Sequence, residues 1–221
     1  METKEVPMRV LPVFVLASAI FVGCAVGRKM SYQSENVPVD YKPSKNVVIT
    51  FHDERDQVVS GKQKPTFVGQ LSSGMGIPYN MQTGSGNPLA VEFASALNNA
   101  ILNKGLQSTT ITLAHTDSVS TVLDTFAKMS QERLLFFKIH KWEARSIPGF
   151  TMMHYEILSD FELNVYDTSG NILATSTAKD LTEKKQDAAL SVKHLQEIAN
   201  EIFKKEIREM FNDPSVRKTL E

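Results

Sequence analysis

The sequence predicts an α/β (α+β) body with elements in the order β-α-β-α-β-β-β-α. Three observations carry that prediction. "NVVITF", Asn46 to Phe51, is a short β-branched run of the kind that fills a buried strand. Leu89, Phe93, Leu97 and Ile101 fall four residues apart, which is one face of a helix. From Met153 to Tyr166 apolar and polar residues alternate, the mark of a strand with one dry and one wet face.

The elements follow in chain order. After the first strand, His52 to Asn87 reads as a long irregular stretch, an insertion over about 52–87. It holds Gly61, Gly69, Gly74, Gly76, Gly84 and Gly86, with Pro65 and Pro78. A loop of this length inside a compact domain is usually functional or mobile. It is therefore expected to be an interaction surface, with Thr66–Leu71 as a short extended piece. The first helix should start at Asn87-Pro88, since Asn is a good N-cap and Pro suits the first helical position. Lys104-Gly105 should close it. Ser108–Ala114 reads as a strand. Asp117 can cap a second helix, striped by Val119, Val122, Leu123, Phe126 and Met129.

"RLLFFKIHKWEA", Arg133 to Ala144, begins apolar on both faces and reads as a central strand. Ile147-Pro148-Gly149 marks a turn. Beyond it Met153, Tyr155, Ile157, Phe161, Leu163 and Val165 point one way. His154, Glu156, Asp160, Glu162 and Asn164 point the other. Asp167 to Asn171 makes a hairpin turn into Ile172–Thr182. The last helix is expected over 188–211. Leu195, Ile198, Ile202, Ile207, Met210 and Phe211 form its apolar face, and Lys204, Lys205 and Arg208 lie toward its negative dipole end. The predicted sheet is mixed, with a C-terminal three-strand antiparallel meander and helices packed on one face. Exposed meander edges can pair between chains, which allows a homo-oligomer.

Composition excludes some classes of function. The chain has 221 residues, 42% hydrophobic and 22% charged, enough for one sizeable core or two small ones. A net charge of -1 leaves no excess of cations to neutralise phosphates, so nucleic acid is not expected as a partner. A single cysteine, Cys24, excludes an intramolecular disulfide framework and a Cys-rich zinc site.

That cysteine follows "VLPVFVLASAIFV", residues 10–22. The run is uncharged and about 13 residues long, whereas a spanning helix needs about 20. It fits the apolar region of a secretory signal peptide. Lys4 and Arg9 are offset by Glu2 and Glu5; a start at Met8 would place positive charge directly before the run. Phe21-Val22-Gly23-Cys24 resembles the lipobox of bacterial lipoproteins, with Phe where Leu is usual. The resemblance implies a diacylglyceryl thioether on Cys24, cleavage between Gly23 and Cys24, and acylation of the new amino terminus. Two or three acyl chains anchor a protein stably where one does not. Ala25 follows the cysteine where many inner-membrane lipoproteins have Asp. By resemblance to that sorting rule, the expected place is the outer membrane, with the body in the periplasm.

The expected organisation is a signal peptide over 1–23, a lipidated cysteine and flexible tether over 24–45, and one domain over 46–221. The tether holds Pro38, Pro43 and many polar residues without a period, as linkers do. Fully extended it would reach about 70 Å. Tyr32 and Tyr41 are its candidate docking residues.

The lipobox, the tether, "VVITFHDERD" with its Asp53-x-Arg55 pair, the meander, the long helix and the "FNDPSVRKTLE" tail together resemble the YajG-type lipoproteins of Gram-negative bacteria. The likeness covers most of 45–221 as element order. It implies a periplasmic α/β lipoprotein domain, related in outline to domains that include activators of cell-wall synthases, and it implies no enzymatic activity.

Motifs for chemistry are weak. "HDERD", His52 to Asp56, has metal-type residues, but successive strand side chains alternate and cannot all converge. His140 and His154 should fall on neighbouring strands without a third ligand. "TGSGNPLA", Thr83 to Ala90, precedes a helix as phosphate loops do, yet it lacks the Lys and third glycine that those motifs need. No nucleophile elbow or zinc-protease motif occurs. Catalytic, metal and cofactor residues are therefore expected to be none. Asp53, Arg55, Gly74, Gly76, Gly84 and Gly86 are the candidate interaction residues. The expected partners are a membrane, through Cys24, and an envelope protein. The function expected is a non-enzymatic, lipid-anchored envelope protein that binds a protein partner. The alternatives are a regulator of peptidoglycan synthesis and a lipid or small-ligand carrier.

Overall fold

A computed structural model describes residues 29–73, 76–187 and 190–221. Eight strands and five helices make up this part of the chain. The strands are β1 (Lys29–Met30), β2 (Val47–Asp53), β3 (Phe67–Ser72), β4 (Pro78–Thr83), β5 (Ser108–Thr110), β6 (Arg133–Pro148), β7 (Met152–Tyr166) and β8 (Ile172–Asp187). The helices are α1 (Asp56–Val59), α2 (Leu89–Asn103), α3 (Val119–Phe126), α4 (Val192–Asn212) and α5 (Pro214–Leu220).

β6 is the spine of one mixed sheet. Along one edge it pairs antiparallel with β7 over almost its whole length, and β7 pairs with β8. Along the other edge it pairs twice. Residues 133–139 run parallel to β2, and Ala144–Ser146 run parallel to β3. β5 continues the sheet beyond β2; β4 and then β1 continue it beyond β3. The predicted mixed sheet and the C-terminal meander are both present.

Alternation divides the side chains between two faces. Val47, Ile49 and Phe51 join Leu135, Phe137, Ile139, Phe161, Leu163 and Val165 in the main core, under α2, α4 and α5. The helix stripes supply the cover, with Phe93 stacked on Phe203 at 4.2 Å. Val48, Leu134, Phe136 and Tyr166 point the opposite way, and Val122 and Phe126 of α3 seal them. So the large helices share one face, as expected, while α3 covers part of the other.

Two expectations change. The stretch over 52–87 is not one irregular loop. It folds as α1 and a β3–β4 hairpin. Gly69 permits the hairpin to join the spine: its φ is +155°, and a β-carbon there would overlap the Ala144 carbonyl. The second change concerns the tether. Residues 29–45 pack onto the domain, and Tyr32 is fully buried while Val37, Val39 and Tyr41 are buried too. The Tyr32 ring meets Phe93, Trp142 and Phe203 edge-on. Gln196 Oε1 accepts from Ser31 N at 2.8 Å and Glu92 Oε2 from Tyr32 N at 2.7 Å. Tyr32 and Tyr41 do dock, but into their own domain.

Smaller differences are local. α2 has Pro88 rather than Asn87 at its N-cap, and α3 has Ser118 rather than Asp117. Asp117 instead accepts from Ala114 N in the preceding turn. The tail after 212 forms α5, capped by Asp213. No described helix is long and apolar enough to cross a membrane.

Candidate functional site

Cys24, Gly23 and Gly74 lie outside the described residues. Asp53 and Arg55 do come together, as a buried structural pair. β2 ends at Asp53 and β3 begins at Phe67, so the β6 edge between their pairing partners lacks a strand. Arg55 fills that break. Its guanidinium donates to both Asp53 carboxylate oxygens, at 2.8 and 2.7 Å. It also donates to the carbonyls of Phe67 (2.7 Å), Trp142 (3.3 Å) and Pro65 (3.4 Å). A planar, five-donor group suits this role. Only 1% of Arg55 and 4% of Asp53 is exposed, so the pair is held inside the domain, with Arg55 in the wall of the hollow between α1 and β6.

The glycines serve turns. Gly76 has φ +75° in the exposed β3–β4 turn, and Gly86 has φ +81° before α2. Gly84 donates its N–H to Met30 O, and a β-carbon there would press on Ser31. The loop is tied down by Glu92, which accepts from Ser85 N and Ser85 Oγ. A carboxylate therefore occupies the region where a phosphate would have had to bind. Gly84 packs against the N-terminal segment, while Gly86 stays exposed in the turn before α2.

A polar network occupies the face opposite the main core. A bulge between Ile139 and Lys141 throws the register of β6 against β7, and His140 sits in it. His140 Nδ1 lies 3.3 Å from Glu54 Oε2, and Nε2 lies 3.5 Å from Glu162 Oε2. Glu54 also meets His52 Nδ1 at 3.1 Å. Lys138 Nζ donates to Glu162 at 2.8 Å. That ammonium holds the Glu162 carboxyl below its usual range, helped by Asn164 and His140. Sequence reading noted these histidines but not their acidic partners. His154 is elsewhere: it pairs across from Ile147 and meets Glu183 at 3.0 Å. Among the described residues, no group of three or more His, Cys, Asp or Glu is placed to hold a metal ion.

The same face continues over β7 and β8. Asp160 pairs with Lys179 at 2.6 Å, and Leu158 stands opposite Leu181. Leu181 is 63% exposed. Beside the network a hollow of about 270 Å³ opens between α1 and β6, lined by Gln57, His140, Glu143 and Arg145 among others. The outer surface of the meander thus has an apolar centre, compensated charges around it and one adjacent hollow. This anatomy matches recognition surfaces, with an apolar middle and a polar rim.

No protein-family model and no curated protein matches the sequence. Among solved structures, a neuraminyllactose-binding hemagglutinin homolog from Helicobacter pylori is 10% identical, with a TM-score of 0.44, over 83% of this chain and 95% of that one. A lipoprotein from Neisseria meningitidis is 8% identical, with a TM-score of 0.28, over 73% and 96%. A hypothetical protein from Chlamydia trachomatis is 11% identical, with a TM-score of 0.32, over 79% and 95%. Likeness at this level is one of outline alone.

Proposed function

We propose that this chain is a lipid-anchored bacterial envelope protein, of the YajG-like kind, whose domain works as a non-enzymatic protein-binding module. The lipobox-like Phe21–Cys24 supports the anchor, and the rule that Ala25 follows supports an outer-membrane place facing the periplasm. The observation that carries the binding role is the outer surface of β6–β8. It sets Leu158 and Leu181 among ion pairs, and α3 stops short of them. Two features behind the alternative functions are used differently by the fold. The apolar face of β7 that suggested a ligand carrier is packed under α2 and α4. The long tether that suggested reach toward cell-wall synthases is shortened, because 29–45 belongs to the domain.

The test is site-specific photo-crosslinking in intact cells. A crosslinker at Leu181 should capture one defined envelope protein, and one at Glu201, exposed on α4, should not. Equal or absent capture at both positions refutes the role of this face. Metabolic labelling with a radioactive fatty acid, lost in Cys24→Ala, tests the anchor separately.

A further inference from the structure

Half of the exposed large apolar side chains among the described residues gather at one end of the sheet. Ile77 lies in the β3–β4 turn, Ile147 and Met152 flank the β6–β7 turn, and Leu190 precedes α4. These four are 38% to 48% exposed, and Phe150, at the tip of the β6–β7 turn, is completely exposed. Register brings them together. Leu71 pairs with Ser146 on β6 and with Tyr79 on β4, and Ser146 pairs with Tyr155 on β7. The Tyr155 hydroxyl in turn accepts from Ser191 N, next to Leu190.

The first described strand, β1, also runs away from this end. β1 runs parallel to β4, with Lys29 opposite Gln82, and β4 heads away from the Ile77 turn. Four residues, Ala25 to Arg28, separate Cys24 from Lys29. Even fully extended, that interval spans at most about 17 Å. Ile77 precedes Gln82 by five residues along the parallel strand, which is about the same distance. An acyl group on Cys24 therefore cannot hold the bilayer beyond the level of this tip.

We propose that Ile77, Ile147, Phe150, Met152 and Leu190 form a membrane-contact tip, seated in the interface of the bilayer that carries the Cys24 lipid. This rests on the lipid anchoring proposed above. The acyl chains supply the affinity, as two chains suffice for stable anchoring. The tip supplies orientation. Its side chains meet no core of their own, and exposed apolar clusters of this kind mark contact surfaces.

The test uses the full chain, matured in cells and reconstituted into vesicles of phosphatidylethanolamine and phosphatidylglycerol. Phe150→Cys carries an environment-sensitive dye; the thioether on Cys24 leaves that as the free thiol. Ile172→Cys, 55% exposed at the opposite end of the meander, is the control. Acyl-brominated lipid should quench the dye at 150 severalfold more than the dye at 172, with a blue shift only at 150. Phe150→Asp should leave co-flotation with vesicles unchanged, and with it a dye placed through Ile147→Cys should lose most of its quenching. Equal quenching at 150 and 172 in a chain that still co-floats overturns the tip alone. A blue shift at 150 without vesicles, growing with protein concentration, overturns it in favour of a second copy of the chain. A Cys24 free of acyl groups by mass spectrometry, with no co-flotation, defeats the anchoring and the tip with it.

Discussion

Replacing Glu206 with Gln should make the domain more stable at neutral and alkaline pH. Glu206 lies on α4, 1% exposed. Ser159 Oγ donates to its Oε1, while Oε2 is buried without a hydrogen-bond partner among the described residues. Burial pushes its carboxyl from the ordinary 4.5 up to about 7. A raised carboxyl pKa means the folded state prefers the protonated form. Stability from this group is complete below pH 4.5, falls as pH rises, and is lost once pH passes about 7. At 1.36 kcal/mol per pKa unit, ionised Glu206 costs about 3 kcal/mol. Glu206→Gln keeps the shape and the Ser159 contact without the charge. With a urea slope of about 2 kcal/mol per molar, its unfolding midpoint should exceed the wild-type one by about 1.5 M near pH 8. Near pH 4 the two should coincide. Trp142, the single tryptophan and fully buried, reports the transition by fluorescence. A midpoint difference that does not change with pH, or a variant weaker than wild type near pH 8, refutes the reasoning.

Three further outcomes are expected. Arg55→Met strands the Asp53 carboxylate and the carbonyls of Pro65, Phe67 and Trp142, and should cost about 3–5 kcal/mol by urea denaturation; a loss under 1 kcal/mol means the break in the β6 edge is closed some other way. Gly69→Ala forces a β-carbon against the Ala144 carbonyl and should cost the upper end of about 1–3 kcal/mol, read as a lowered Tm, with amide exchange rising first in β3 and β4. Tyr32→Ala empties a site enclosed by Phe93, Trp142 and Phe203 and should cost about 3–5 kcal/mol; unchanged stability restores the flexible tether over 29–45.

The parts of the fold that were legible are those where one face is dry and the other wet. In β7 the six core-facing residues from Met153 to Val165 are all buried, because the large helices cover that face of the meander. The α4 stripe survived for the same reason. The Asp167–Asn171 turn was readable because Asp167 accepts from Ser169 N and Asn171 N while Gly170 takes φ +80°, chemistry that residue types announce. The N-terminal segment was not readable, although Val37, Val39 and Tyr41 alternate. Pro38 and Pro43 hid them, and Tyr32 is buried by side chains 60 or more residues away in sequence. β4 failed because "PYNMQT" buries only Met81 and Thr83, too little for a pattern. At the site, the Asp53-x-Arg55 pairing was legible and its burial was not, since burial depends on a missing strand between β2 and β3. The His140 contacts needed the β6 bulge. Its trace in sequence is that Ile139 and Trp142 both face the main core, three apart where a regular strand requires an even spacing.

Packing of residues 29–45 and the proposed tip have a joint consequence for the binding face. A domain on a long tether presents every surface equally, so no face has a reason to specialise by position. A domain held within four residues of its lipid, and seated on the β6–β7 turn, has a fixed top and bottom. β6 then descends toward the membrane from Arg133 to Pro148 and β7 climbs back, so the outer surface of the meander stands upright. A strand of 16 residues rises about 50 Å at 3.3 Å per residue. Leu158, opposite Glu143 and beside Leu181, stands five residues above Pro148, about 17 Å up that height and clear of the lipid headgroups. The surface suited to a protein partner is thereby the side wall of the domain, and the partner would approach along the membrane plane. Lengthening the spacer between Cys24 and Lys29 by a flexible Gly-Ser insert removes this orientation without touching a side chain of the face. Crosslinking from Leu181 should then fall severalfold while anchoring is kept. If capture is unaffected by the insert, the upright arrangement plays no part in recognition.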